Sequence, residues 1–201
     1  SNPMYNAILK WSLTQSDGTS APQTGPMDPE KRAFLEKAME GLLEDETKKM
    51  KELCAAVQAP EDTDEQVAAK ETALEELFDR CDRIDYAVTF HTFGNGFIPT
   101  IQLLKSKHDG IREKAASLIA LCAQNNPPCQ EWAVQAGALE LLQAVHADVE
   151  ADVDVRTKAL SAISALVQHN PYGEERFLSL GGVSALRCSA EGIARRLKVK
   201  S

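Results

Sequence analysis

The chain has 201 residues, 43% of them apolar and 26% charged, the balance of a protein that buries a core. No run approaches the roughly 20 apolar residues that a membrane-spanning helix needs, and the N-terminus has no basic stretch followed by an apolar run, so neither a membrane segment nor a secretory signal is expected. The net charge of −8 gathers between Asp28 and Asp85, where 18 acidic residues stand against 9 basic ones; that front half would be repelled by phosphates, which excludes a nucleic-acid partner and leaves a solvated helix surface or a basic patch on a protein.

The first 27 residues divide in two. Ile8, Leu9, Trp11 and Leu13 give a short apolar segment with Lys10 among them. Residues 16–26, rich in serine, threonine, glycine and proline, follow as a flexible linker. Asp28-Pro29 then opens a helix, with an acceptor at the cap and proline at the first helical position. Phe34, Leu35, Ala38, Met39, Leu42 and Leu43, then Met50, Leu53, Cys54 and Val57, keep helical spacing. Gly41 and the polar stretch Glu44 to Lys49 predict a division into two entry helices, over 28–58, before a break at 59–64.

From about Glu65 the chain repeats itself. Residues 111–127 and 155–171 are identical at eight of seventeen positions, including Arg112/Arg156, Lys114/Lys158, Ser117/Ser161, Gln124/Gln168, Asn126/Asn170 and Pro127/Pro171. Unrelated helices would match at one or two, so this is a repeat. A period of 41 to 45 residues made of helical segments is that of HEAT or armadillo arrays. The fold expected is therefore all-α, an armadillo-like helical repeat or α-solenoid with N-terminal entry helices. The flexible segment would cover 1–27 and the repeat domain 28–201. Repeats would lie at about 65–109, 110–153 and 154–196, with 197–201 opening a fourth, so that the chain reads as a fragment. Within a unit, Gln-x-Asn-Pro closes one helix and caps the next, and Gly96, Gly137 and Gly182 supply a sharp turn or a close helix approach. Trp132 with Val134 pairs with Phe177 and Leu178 as core.

Five cysteines (Cys54, Cys81, Cys122, Cys129, Cys188), without CxxC and without clustered histidines, predict buried reduced thiols of a cytosolic protein rather than a disulfide framework or a metal site. Neither GxSxG, P-loop, HExxH nor a Rossmann glycine pattern occurs, and His91, His108, His146 and His169 lie far apart, so no enzyme and no cofactor is expected.

Gly96-Phe97-Ile98-Pro99-Thr100-Ile101-Gln102-Leu103-Leu104 resembles the second-helix signature of armadillo repeats. By that resemblance, helices near 67–82, 110–125 and 154–169 are third helices, which in armadillo proteins line a concave partner-binding face. The import adaptors of that fold grip basic peptides with a ladder of tryptophan and asparagine. Here Ser117 and Ser161 fall at the tryptophan position, and Leu121 and Ala165 at the asparagine position, so the ladder is absent.

A closer resemblance covers nearly the whole chain. Leu9-Lys10-Trp11-Ser12-Leu13, Met27-Asp28-Pro29-Glu30-Lys31-Arg32 with Phe34-Leu35, Met50-Lys51 with Leu53-Cys54, and Asp154-Val155-Arg156-Thr157-Lys158-Ala159-Leu160 resemble, in order, segments of the Fes and heat-shock-protein-binding-protein family. These are armadillo-type nucleotide exchange factors of Hsp70 chaperones. The resemblance implies a monomeric, cytoplasmic co-chaperone whose concave face wraps one lobe of the Hsp70 ATPase domain, so that ADP leaves and ATP enters. It also implies that Ile8, Leu9, Trp11 and Leu13 engage the peptide groove of the chaperone's substrate-binding domain; the alternative is a short helix docked on its own domain. An armadillo scaffold for some other protein is the second reading of the whole chain.

For the partner-binding face the expected residues are Glu113, Ser117 and Gln124 with Thr157, Ser161 and Gln168, the row used by armadillo proteins. Arg112 and Arg156 join them as cations for an acidic surface, with an ion pair or cap inside the repeat as the alternative. Arg195-Arg196-Leu197-Lys198-Val199-Lys200 reads as the entry to a further repeat, with a nuclear signal as the alternative.

Overall fold

Why the chain is helical is legible at its breaks. The computed structural model describes residues 29–82 and 84–187, with helices and no strand among them. The described residues fall in two compact units, 29–49 in one and 50–187 in the other. Helix α1 runs unbroken over Pro29–Ala56, against the expected division at Gly41. Glutamate and lysine, dense from Glu44 to Lys49, are strong helix formers, and one interior glycine costs only about 1 kcal/mol.

The second unit holds the array: α2 (Asp64–Cys81), α3 (Ile84–Thr92), α4 (Phe97–Gln102, continued as a 3-10 turn over Leu103–Lys105), α5 (Asp109–Ala123), α6 (Pro127–Gln135), α7 (Ala138–Ala147), α8 (Val153–Val167) and α9 (Pro171–Ser179). Residues 182–187 are helical again. Thr63 starts α2 with a capping box, its hydroxyl accepting from the Gln66 amide while the Gln66 side chain accepts from Thr63 and Asp62. Asp152 caps α8 by accepting from the Asp154 amide at 2.8 Å. Pro127 and Pro171 open α6 and α9 as expected. Asn126 and Asn170 occupy the cap positions but make no side-chain cap; Asn170 Nδ2 instead donates back to the Leu166 carbonyl at 2.9 Å, closing α8. The tight reversal comes from the residue before each, Asn125 and His169, at φ 52° and 57°.

The helices pack in rows. α2, α5 and α8 lie side by side, α3, α6 and α9 form a second row, and α7 packs against α8 and against the 3-10 turn after α4. One apolar cluster runs from Met50 to Phe177, with Leu74, Leu77, Ile111, Ala115, Leu118, Ile119, Val155, Ala159, Ala162 and Leu166 along the α2–α5–α8 row. The loop between α1 and α2 is tied by Glu61. Its carboxylate takes the buried Lys70 ammonium at 3.1 Å and the Ser106 hydroxyl at 2.9 Å, which together outweigh its partial desolvation and hold it below the ordinary carboxylate range.

The three glycines expected to act alike do not. Gly137 sits at φ 83°, and the residue one repeat on in the same conformation is Gly181, at φ 71°, rather than Gly182. The first repeat uses Asn95 at φ 47° for this turn. Gly96 and Gly182 are instead contact glycines: a methyl group there would overlap the rings of Phe90 and Phe177. The intermediate repeat has Ala133 where Phe177 stands and Ala138 where Gly182 stands. The same register corrects the pairing of Trp132 with Phe177. Trp132 is only partly buried, stacked on His91 with ring centroids 4.2 Å apart, while Leu178 is exposed.

Two outcomes test this packing. Gly96→Ala should lower stability by about 1–3 kcal/mol, because the added methyl would overlap the ring of Phe90, which is fully buried and lies edge-on to Phe97; a melting temperature equal to the parent's would contradict the contact. Cys54, Cys81, Cys122 and Cys129 are free and buried. Burial pushes the Cys54 and Cys129 thiols up to about 12, and a hydrogen bond with Cys81, then burial, raises Cys122. At pH 8 only about one in ten thousand of the former two would be thiolate. In a Cys188→Ala chain all four should therefore react with Ellman's reagent only as fast as the protein unfolds, and a rapid native-state reaction would refute that burial.

Candidate functional site

The α2–α5–α8 row presents its polar side as a groove of about 520 Å³. Helix α5 lines it with Ser117, Ala120, Leu121 and Gln124, α8 with Lys158, Leu160, Ser161, Ser164 and Ala165, and the end of α8 with Gln168; Phe78 of α2 closes one side. The groove follows from periodicity. Ile111, Ala115, Leu118 and Cys122 take the buried stripe of α5, and Val155, Ala159, Ala162 and Leu166 that of α8. Positions 117, 121 and 124, and 161, 165 and 168, are then left on the opposite side, three and four residues apart.

Four of the eight residues expected on the binding face meet in this groove: Ser117, Gln124, Ser161 and Gln168. So do Leu121 and Ala165, which occupy the positions of the import adaptors' asparagines. The floor is therefore made of small side chains and one leucine, with amides toward the C-terminal ends of the helices. The Ser161 hydroxyl donates to the Thr157 carbonyl at 3.0 Å. Phe78 and Leu160, each 38% exposed, supply apolar surface.

The other four do not line the groove. Glu113 is half-buried on α5, and Thr157 is exposed with its hydroxyl donating to the Val153 carbonyl at 2.8 Å. Arg112 pairs with Asp109 within its own first turn and lies 3.7 Å from Asp148 beyond α7. Arg156 Nε donates to the His146 carbonyl at 2.9 Å, while His146 Nδ1 lies 3.1 Å from the Arg156 carbonyl, a reciprocal clasp between the last turn of α7 and α8. Both arginines thus act within the array. The N-terminal segment Ile8, Leu9, Trp11 and Leu13 lies outside the described residues.

Phe78, Lys158 and Leu160 were not among the expected site residues. Lys158 was visible only as a repeat identity with Lys114, whose ammonium lies 3.6 Å from Glu71 and 3.4 Å from Glu75 of α2. A further unexpected residue supports the groove from behind. Gln130 of α6 is buried and its amide donates to the carbonyls of Ala165 and Gln168, at 2.8 and 3.0 Å. It satisfies carbonyls left open where α8 ends and fixes that end of the wall.

A family model for the SIL1/FES1/HPBP1 C-terminal domain matches residues 87–199, and a model for nucleotide exchange factor Fes1 matches residues 5–89. The chain is 32% identical over 206 residues to Hsp70-binding protein 1 of Homo sapiens, an alignment covering 96% of this chain and 56% of that protein. It is 27% identical over 183 residues to Hsp70 nucleotide exchange factor FES1 of Eremothecium gossypii, covering 89% of this chain and 60% of that one. The chain therefore spans little more than half the length of these curated relatives. Among solved structures, a designed armadillo repeat protein superimposes with a TM-score of 0.62 at 18% identity, over 81% of this chain and 69% of that one. Another, solved in complex with the peptide (KR)4, gives 0.57 at 20% identity, over 67% and 55%. At such identities the likeness speaks for the armadillo fold alone.

If Arg156 is part of the array's own bracing, Arg156→Ala should lower unfolding stability by about 1–3 kcal/mol, since it leaves a carbonyl of a buried turn without its charged donor. Denaturant melts would measure this, and an unchanged midpoint would return Arg156 to the list of surface cations.

Proposed function

Since the chain belongs to the SIL1/FES1/HPBP1 family, we propose that it is an Hsp70 co-chaperone that promotes nucleotide exchange, holding the chaperone's ATPase domain against the α5–α8 groove on the concave side of the array. The observation that carries the placement is the convergence of Ser117, Ser161, Gln124 and Gln168 on one groove with a small-residue floor. A basic peptide held by an armadillo ladder needs aromatic faces and asparagine amides, and this groove offers neither at the matching positions. Small side chains suit the approach of a folded surface, and free amides at one end offer both donors and acceptors to it. The names of the relatives, Hsp70-binding protein 1 and Hsp70 nucleotide exchange factor, support the choice of partner.

Such a protein does no covalent chemistry. It speeds ADP release only if it binds the open-cleft form of the ATPase domain more tightly than the ADP-closed form, since an equilibrium shifts only by the difference in affinity. Linkage then requires that ADP weaken the co-chaperone's binding by the same factor by which the co-chaperone weakens ADP's. The cytosol is the proposed compartment, in keeping with four reduced thiols in the core.

Stopped-flow release of a fluorescent ADP from a cytosolic Hsp70 tests this reading. The chain should accelerate release, and saturating ADP should weaken its binding in titration calorimetry. Ser117→Trp combined with Ser161→Trp should fill the groove and weaken binding at least about tenfold, with helical content retained in circular dichroism. Binding without any acceleration would leave a scaffold on the chaperone, and no binding at all would point to a different partner.

A further inference from the structure

Two of the three third helices, α5 and α8, carry a cation that changes its situation along the array. The buried positions of all three set the register: Leu74, Ala115 and Ala159 are equivalent, as are Leu77, Leu118 and Ala162. In that register Lys114 and Lys158 occupy the same site on successive helices. Lys114 faces α2, where Glu71 and Glu75 neutralise it. Lys158 faces α5, where the residues equivalent to Glu71 and Glu75 are Arg112 and Ala116. The acids have gone and the cation has stayed. Lys158 lines the groove, no carboxylate lines it with Lys158, and its ammonium has no partner among the described residues.

We propose that Lys158 is the specificity-determining cation of the groove, receiving a carboxylate of the partner protein, with Phe78 and Leu160 covering apolar surface beside that acid. The inference rests on the groove being the chaperone-binding face. Its physical basis is complementarity: in a chain of net charge −8, an ammonium lining a groove that has no carboxylate in its lining attracts an acidic side chain of a partner and repels a basic one. The Phe78 ring and the Leu160 methyl groups exclude water once the partner is seated, which strengthens the pair relative to an exposed one. The occupant is therefore an acidic, partly apolar patch of a folded domain rather than a basic peptide.

Titration calorimetry with the Hsp70 ATPase domain, at several salt concentrations, tests it. Lys158→Glu should weaken binding about 10- to 100-fold. Lys158→Met, which keeps an apolar stem, should weaken it less and flatten the salt dependence, while Lys105→Glu, outside this groove, should bind as the parent does. Among acidic residues on the ATPase domain, one changed to lysine should restore binding to the Lys158→Glu chain. Parental affinity and salt dependence in both Lys158 variants would overturn the proposal. The Ser161→Trp chain separates the two failures: if it loses binding while Lys158→Glu does not, the groove stands and only the cation falls. If both bind as the parent does, or the parent itself does not bind, the groove assignment falls as well.

Discussion

No helix in the second unit can bury its apolar stripe alone, and the side-by-side stacking of α2, α5 and α8 is how they all do so. Each of these helices is amphipathic over four to five turns, and each supplies half the cover its neighbour needs. Small residues on the facing sides, Ala115, Ala116, Ala159 and Ala162 among them, are fully buried and bring the helix backbones close. The shorter helices α3, α6 and α9 then close the other side of the same core. This stacking also makes the groove, because a stripe that must face inward fixes which residues are left facing outward.

That dependence explains what was legible. The repeat could be read from eight identities because architecture reuses its punctuation, and the third helices fell within a few residues of their expected ends. The residues sharing the outer stripe of α5 and α8 could be counted off by helical spacing, which is why Ser117, Gln124, Ser161 and Gln168 converge in the structure. Phe78 could not be, since it comes from α2, about four turns along a helix of different length. Arg112 and Arg156 carried two readings for a physical reason: an arginine repeated with the period is available to both a partner and the repeat, and here acids and a carbonyl of the array take the guanidinium groups, which is the second of those readings. The long α1 was misread because glycine and charge mark a boundary only when the flanking residues disfavour helix.

The asparagines are a similar case. Gln-x-Asn-Pro signals a helix start correctly, through proline, yet the Asn170 side chain serves the preceding helix instead of the following one. A motif can mark the right place for a different reason than its chemistry first suggests. The left-handed residue just before, asparagine in one repeat and histidine in the next, does the turning.

The contact glycines carry an implication for how the array was assembled. An aromatic ring and a glycine face each other in the first and third repeats, at Phe90 with Gly96 and Phe177 with Gly182, while the second has alanine at both places. The two positions therefore drift as a matched pair, each large side chain answered by the loss of a methyl. Modules cut from this chain at points between those partners and rejoined in another order would give either overlap or an empty space. Copies that look alike in outline are thus keyed to themselves, and a duplicated unit can be recombined only as a whole.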